Sequence, residues 1–255
     1  MTTLLIDSGN SRIKWWFHSE AQPVQSNTTP HAADLHQADW LNLLRADWQQ
    51  QCQPSRCIIS HVGQDQTLRA LTQLIRDVFG ATDITLLTAQ PNFNGFQLNY
   101  NATSMGSDRY AQLLGAHQLN ISGAYLVVSA GTAITVDGVL TGGQHVGGMI
   151  LPSIDLMRRS LHQYTAKLPL NGGTPAPNQA PPRATDDALA TGALLAAVGA
   201  IHEFAARYMH GEDLTLILCG GGAAQIAPYI RSPMIQSIEP HVALCLYGLR
   251  SYIQH

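Results

Sequence analysis

The feature that most constrains this chain is a strand and glycine turn that occurs twice. Leu4-Leu5-Ile6-Asp7-Ser8-Gly9-Asn10-Ser11 and Leu126-Val127-Val128-Ser129-Ala130-Gly131-Thr132-Ala133 each run as an apolar strand that breaks at a glycine. Both then resume a β-favouring run, 13–17 and 134–139, so each reads as strand, tight turn and second strand. Two such copies predict an α/β protein of two similar halves meeting at a cleft, divided as 1–118 and 119–255. Any two buried strands followed by glycine share this appearance, so coincidence stays open on the repeat alone.

Composition narrows the function classes. With 255 residues, the chain is long enough for one large or two small domains around a sizeable core. Its 45% hydrophobic content is ordinary for a globular protein and excludes a disordered or fibrous one. Lys and Arg number 14 against 17 Asp and Glu, a net charge of −3 that gives nucleic acid no basic stripe to follow. The longest apolar stretch, 193–201, falls far short of the roughly 20 residues that span a bilayer, so no membrane segment is expected. The start, MTTLLIDSGN, has no basic leader and puts Asp7 and Asn10 where a signal peptide needs apolar residues; a cytoplasmic location is expected. Cys52, Cys57, Cys219 and Cys245 form no CxxC pair, and the apolar surroundings of the last two suit buried free thiols rather than zinc or disulfides.

Tyr110, Leu113, Leu114 and His117 recur at i, i+3, i+4 and i+7, predicting a helix from Ser107 with Asp108 in its first turn. A second helix is predicted over roughly 186–210, with Thr185 as N-cap, Asp186 and Asp187 at the positive end of the dipole, and Gly211 after it. Its Gly192, Ala196 and Gly199 suit a close approach, either in the core or at a subunit interface. The stretch PLNGGTPAPNQAPP at 169–182 is too rich in Pro and Gly for a regular element. Leu214 to Cys219 reads as a strand stopped by Gly220-Gly221-Gly222, which serves either a flat ligand or a plain turn into a helix.

No GxxxxGK[ST] is present, but glycine turns can bind phosphate through exposed backbone N–H groups and small hydroxyls. The turns at 7–11 and 131–133 are the candidates, with Lys14 adding charge to the first. Asp7, at the end of its strand, suits the waters of a Mg²⁺ bridging two phosphates, or alternatively caps its own hairpin as an Asx turn. Gly106-Ser107-Asp108-Arg109 sets an acid beside a guanidinium at a helix start, where the dipole favours ionised Asp108 and Arg109 offers a fork to a carboxylate or phosphate. Phosphoryl transfer needs an oriented acceptor hydroxyl and a group to take its proton, and this tetrapeptide supplies both types. Standing alone it would equally be an N-terminal helical acid beside an exposed Arg. His61, His145 and His202 fall in no metal-ligand spacing and suit surface or hydrogen-bonded core positions.

Taken together, DSGNSRIK at 7–14, GSDR at 106–109 and GTAITVD at 131–137 resemble the three ordered motifs of the type III pantothenate kinase family. GGMILPSIDLMRRSL at 147–161 resembles a further family segment, GGxIxPG, and the likeness runs along essentially the whole chain. The resemblance implies the acetate and sugar kinase, Hsp70 and actin superfamily fold, two ribonuclease H-like halves with a central nucleotide cleft. It implies a homodimer that uses ATP to phosphorylate pantothenate to 4′-phosphopantothenate, the first step toward coenzyme A.

By the same resemblance, Asp7, Ser8, Gly9, Asn10, Ser11, Arg12, Ile13 and Lys14 form the first phosphate loop, and Gly131 and Thr132 the second. Asp108 is the general base. Gly106, Ser107, Asp108 and Arg109 line the pantothenate pocket with Tyr100, and Thr185 contacts substrate near the dimer interface. Cys219, Gly220 and Gly221 sit near adenosine. Mg²⁺ accompanies ATP, held by Asp7 through water, and the family also binds a monovalent cation, K⁺ or NH₄⁺.

Two departures stand out. Ser129 occupies the position where the family has an Asp for that cation, and a neutral hydroxyl cannot supply its charge. Ser153 replaces the last glycine of GGxIxPG, which is harmless only where the backbone does not need φ > 0. Two other functions remain compatible with these residues: another small-molecule kinase of the same fold, and a nucleotide-binding regulatory protein without turnover.

Overall fold

The structure, a computed structural model, describes residues 2–19, 27–30, 37–177 and 180–254. It divides into two compact units, one of 1–94, 100–120 and 243–255, the other of 95–99 and 121–242.

The first unit holds β1 (Thr3–Ser8), β2 (Arg12–His18), β3 (Asn27–Pro30), α1 (Gln37–Trp48), β4 (Arg56–His61), α2 (Asp65–Phe79) and β5 (Asp83–Leu86). The sheet order is β3-β2-β1-β4-β5, with β2 antiparallel and β4 parallel to β1. Every residue of β1 is buried, as its unbroken apolar run predicts for a central strand covered on both faces. The parallel neighbours require helical crossovers, and α2 supplies one, turning Leu71, Leu74, Ile75 and Phe79 into the core. Trp15, Trp40 and Trp48 fill the same core from β2 and α1.

The hairpin arms β6 (Asn92–Phe93) and β7 (Phe96–Gln97) carry the chain onward, and α3 (Ser107–His117) follows, beginning at the residue its periodicity predicts. The second unit then builds β8 (Ala124–Ala130), β9 (Ala133–Leu140), β10 (Gln144–Pro152), α4 (Ile154–Tyr164), α5 (Thr185–Tyr208), β11 (Leu214–Cys219), α6 (Ala223–Ile226) and β12 (Ile235–Pro240). Its sheet runs β12-β11-β8-β9-β10-β7. Central β8 has antiparallel β9 on one side and parallel β11 on the other, as β1 has β2 and β4. The repeat therefore extends beyond the hairpins to five strands in each unit, since 3-2-1-4-5 and 10-9-8-11-12 are the same order.

The chain closes with α7 (Leu244–Ser251), which packs on α3 in the first unit. This differs from a simple division at 118/119, which would leave 243–255 with the second half. Two glycines explain the return: a Cβ on Gly248 would collide with the Ala111 carbonyl, and one on Gly115 with that of Leu244. The helices cross backbone to backbone, a fit that no local pattern in the last thirteen residues announces.

By length and composition α5 would suffice to cross a membrane, but Leu194, Ala197, Val198, Ile201 and Phe204 pack it into the second unit's core. Ala184, not Thr185, is its N-cap, and no side chain caps it there; Thr185 is the first helical residue. The Pro- and Gly-rich loop is fastened along this helix start, with the Thr174 N–H donating to Asp187 Oδ1 (2.9 Å) and the Ala176 N–H to Thr191 Oγ1 (3.3 Å). Residues 178 and 179 of that loop lie outside the described residues. Ser153 has φ −63° and its Oγ accepts the Leu156 N–H at 3.1 Å, so the glycine replacement is a helix cap at an unstrained backbone position.

Candidate active site

In the first unit the ends of β1, β4 and α3 bring together most of the polar residues singled out above. Asp7 pairs across the hairpin with Lys14, and the Nζ to Oδ2 distance is 3.6 Å. The turn between them closes with the Gly9 N–H donating to the Arg12 carbonyl at 3.1 Å, leaving Asn10, Ser11 and Arg12 exposed. Ser8 and Ile13 are wholly buried, so they anchor this turn from below and do not line its surface.

Asp7 is itself buried, and loss of hydration pushes its carboxyl above the usual range. The Lys14 charge and a hydrogen bond from the Cys245 thiol oppose the rise without cancelling it. Burial, with the negative charges of Asp7 and Asp108, pushes Cys245 well up, so it stays a neutral donor.

At the start of α3, Asp108 Oδ1 accepts the Arg109 N–H at 2.7 Å. Gly106 makes room for that carboxylate, since a Cβ there would lie 2.9 Å from Oδ1. Asp108 is also raised, first by burial and then by the charge of Asp7, while backbone N–H groups and the Arg109 guanidinium pull it down. Two carboxylates thus share one desolvated site, and the charge of Asp7 makes Asp108 harder to ionise. Arg109 is buried, and its guanidinium lies 4.8 Å from the centre of the Tyr100 ring, half-exposed on the same unit. This stacked, forked cation suits a carboxylate or phosphate.

Below these acids lies a second layer of contacts, which joins Ser107 and His61, two residues the sequence names without linking them. Ser107 Oγ accepts the His61 N–H at 2.9 Å and donates to the His61 carbonyl at 3.0 Å, and Ser60 Oγ lies 3.0 Å away. The His61 ring reaches the other way, with Nδ1 3.0 Å from Ser8 Oγ. Neither this layer nor the Cys245 contact has a local signal, because both arise from strand register and the return of α7.

In the second unit the equivalent turn closes with the Gly131 N–H donating to the Ala133 carbonyl at 2.9 Å, leaving Gly131 and Thr132 exposed. Ser129 sits opposite Thr135 on β9 and Cys219 on β11. Gly220, at φ +93°, brings its backbone against Ala130, where a Cβ would strike the carbonyl. Packing within the unit is reason enough for that glycine. Thr185 is the one polar residue lining an otherwise apolar groove of about 460 Å³ between α4 and α5, formed with Met157, Leu161, Leu168 and Leu189 among others. His145 is buried with Nε2 2.9 Å from Asp137 Oδ1, and His202 Nε2 accepts the Arg231 N–H at 3.1 Å.

The sequence model of type III pantothenate kinases matches residues 3–207. The chain belongs to that family. A type III pantothenate kinase from Janthinobacterium sp. is 33% identical over 237 residues, covering 89% of each chain. One from Herminiimonas arsenicoxydans is 34% identical over 233 residues, again covering 89% of each. Among solved structures, a candidate 2-dehydro-3-deoxygalactonokinase from Sinorhizobium meliloti superposes with a TM-score of 0.63 at 15% identity, over 99% of this chain and 98% of that one. The chain therefore shares the α/β fold of that structure, in keeping with the two-unit α/β architecture described above. The matched range holds Asp7, Lys14, Asp108 and Arg109, whereas Cys245 lies beyond it.

Proposed function

We propose that this protein transfers the γ-phosphoryl group of ATP to the primary hydroxyl of pantothenate, giving 4′-phosphopantothenate and ADP. The observation that carries this reading is the pair of raised carboxylates, Asp7 and Asp108, beside Lys14 and Arg109 in a chain of this family. Asp108 is the general base: as the acceptor oxygen bonds to phosphorus and the bond to the ADP oxygen breaks, the hydroxyl proton passes to its carboxylate. A raised acid is the better acceptor for that proton. Arg109, flattened on Tyr100, takes the pantothenate carboxylate, and Gly106 keeps the approach to Asp108 open.

Gly9 and the exposed turn residues Asn10, Ser11 and Arg12, with Lys14, cradle phosphate in the first unit, and Gly131 and Thr132 do so in the second. Mg²⁺ fits the donors present, because it favours one or two carboxylates with water and phosphate oxygens, and Asp7 is a carboxylate whose charge Lys14 only partly offsets. When bound with ATP the ion neutralises charge on the transferring phosphates. Asp7 would hold its waters, with Lys14 Nζ 3.6 Å from the same carboxylate.

A homodimer is supported by the α4–α5 surface, where Leu156, Leu161, Tyr164 and Leu195 are exposed beside the groove that holds Thr185. Thr185 then meets substrate near that interface. We place the enzyme in the cytosol, and with Ser129 in the cation position its dependence on potassium or ammonium is weak or absent.

The test is an ADP-release assay with Mg-ATP and pantothenate, with the product identified by mass and sugars, glycerol and acetate as competing acceptors. Preferential formation of 4′-phosphopantothenate supports the proposal. Turnover of another acceptor would indicate a different kinase of this fold, and ATP binding without turnover a regulatory protein.

A further inference from the structure

His61 grips two elements at once. Its ring reaches Ser8, the residue under the first phosphate turn, while its backbone N–H and carbonyl both bond the hydroxyl of Ser107, one residue before Asp108. Strand register sets up the first grip, since Ser8 pairs with His61 and Asp7 with Ser60, and the Val62 N–H donates to the Ser8 carbonyl at 3.2 Å. Gly63 backs the ring: a Cβ there would lie 3.0 Å from Cε1. Ser8 is fully buried, so its hydroxyl serves this contact from inside the fold.

His61 Nε2 is buried without a hydrogen-bond partner among the described residues. Buried N–H groups are left orphaned more rarely than buried acceptors, which favours the tautomer with its proton on Nδ1, donating to Ser8 Oγ. Leaving a buried polar atom unmatched is a standing cost. Among the described residues, the contact with Ser8 is the one hydrogen bond the ring makes.

We propose that His61 is a positioning residue of the kinase reaction, fixing the spacing between the phosphate turn that follows Asp7 and the helix start that carries Asp108. The inference rests on the reaction proposed above. In phosphoryl transfer most of the rate comes from alignment, and a misplacement of about 1 Å can cost 10²-fold. Through Ser8 the ring holds the donor side; through Ser107 the backbone holds the acceptor side. Loss of the ring keeps the strand pairing and the Ser107 bonds and removes the side-chain tie that fixes Ser8 under its turn, which loosens the spacing between the two sides.

The test compares His61→Leu, which removes the donor, with His61→Asn, whose side-chain N–H group replaces Nδ1–H, and with Ser8→Ala. His61→Leu should lower kcat by about 10- to 100-fold with little change in affinity for a non-hydrolysable ATP analogue. It should also release more ADP than phosphopantothenate, as water competes for the misaligned phosphoryl group. His61→Asn should restore most of kcat and the one-to-one coupling, and Ser8→Ala/His61→Leu should be no worse than His61→Leu alone. Independently of any acceptor, amide exchange at Gly9 and Tyr110, on the two sides, should speed up together in His61→Leu and not in His61→Asn. A lower Tm with unchanged kcat and coupling, an Asn variant no better than Leu, or exchange that speeds on one side alone would overturn the proposal. Wild-type protein inactive on pantothenate but showing the paired exchange effect would instead overturn the choice of reaction and leave the bridge standing.

Discussion

The two units solve the same backbone problem with different chemistry. In each, a central strand ends in a glycine turn with an antiparallel partner on one side and a parallel partner on the other. Where the first unit has Asp7 opposite Lys14 and Ser60, the second has Ser129 opposite Thr135 and Cys219. One position holds an ion pair, and its counterpart holds hydroxyls and a thiol. The next step along the strand differs as well: the His61 ring ties Ser8 in the first unit, while in the second Gly220 lays its backbone directly on Ala130. A duplicated scaffold thus fixes where a turn sits, and the residues at two or three positions decide whether it carries charge. The charged copy is the one that α3 completes with a second acid.

The comparison breaks most visibly if the charge is not where the chemistry is. Asp108→Asn should keep ATP binding and lower kcat by about 10²-fold or more, as expected for loss of a positioned base. The same variant should unfold at higher temperature than wild type at neutral pH. Asp108 is raised in the folded protein, so its contribution to stability is full below the ordinary carboxylate pKa and is lost as pH rises through the folded value. The gain in Tm should therefore shrink as pH falls into the ordinary carboxylate range. A variant with unchanged kcat removes Asp108 from its role.

Asp7→Asn should be milder in kcat and mainly raise the Mg²⁺ and ATP concentrations required, if Asp7 serves the ion as proposed and Asp108 the acceptor proton. Its residual activity sharpens the contrast. The acid limb of the pH–rate profile reports the coupled carboxylates, and removing the Asp7 charge lets Asp108 ionise more easily. The limb should move to lower pH; an unmoved limb means the acids do not share a site.

In the neutral copy, the effect expected is a lack of one. Wild-type turnover should vary little between potassium and sodium salts at fixed ionic strength, and Ser129→Asp should install a potassium response by restoring the carboxylate. Strong activation of wild type by potassium, abolished in Ser129→Ala, would show that a hydroxyl suffices and that the two turns differ less than their charges suggest.

Much of this was legible before the fold. The hairpins announce themselves by apolar runs that break at glycine, and α3 by the spacing of Tyr110, Leu113, Leu114 and His117. Asp7, Asp108 and Arg109 are found because each sits in a short contiguous motif. What the sequence hides is non-local. His61 meets Ser8 only through the parallel register of β4 on β1, across the whole of α1. Cys245 reaches Asp7 because Gly115 and Gly248 let two helices cross closely, a fit that depends on both at once. Thr185 shows the limit of a one-residue judgement: it has the chemistry of an N-cap, but the helix begins with it and Ala184 takes the cap position. It lines the α4–α5 groove instead.

The smallest effect separates architecture from chemistry at the end of β10. Ser153 stands where the family segment has glycine, and two roles are open to a serine there: contact with a ligand, or service to the backbone. Its φ is negative and its Oγ accepts the Leu156 N–H, one of the four donors that the first turn of α4 cannot satisfy internally. Ser153→Ala should cost about 1 kcal/mol of stability, as loss of a serine cap commonly does. Ser153→Gly should cost only a few tenths, because glycine lets water reach the freed N–H. Neither should alter KM for ATP or pantothenate, measured on the fully folded fraction. A raised KM at unchanged Tm would reverse the assignment and add this serine to the phosphate-binding turn proposed at Gly131 and Thr132.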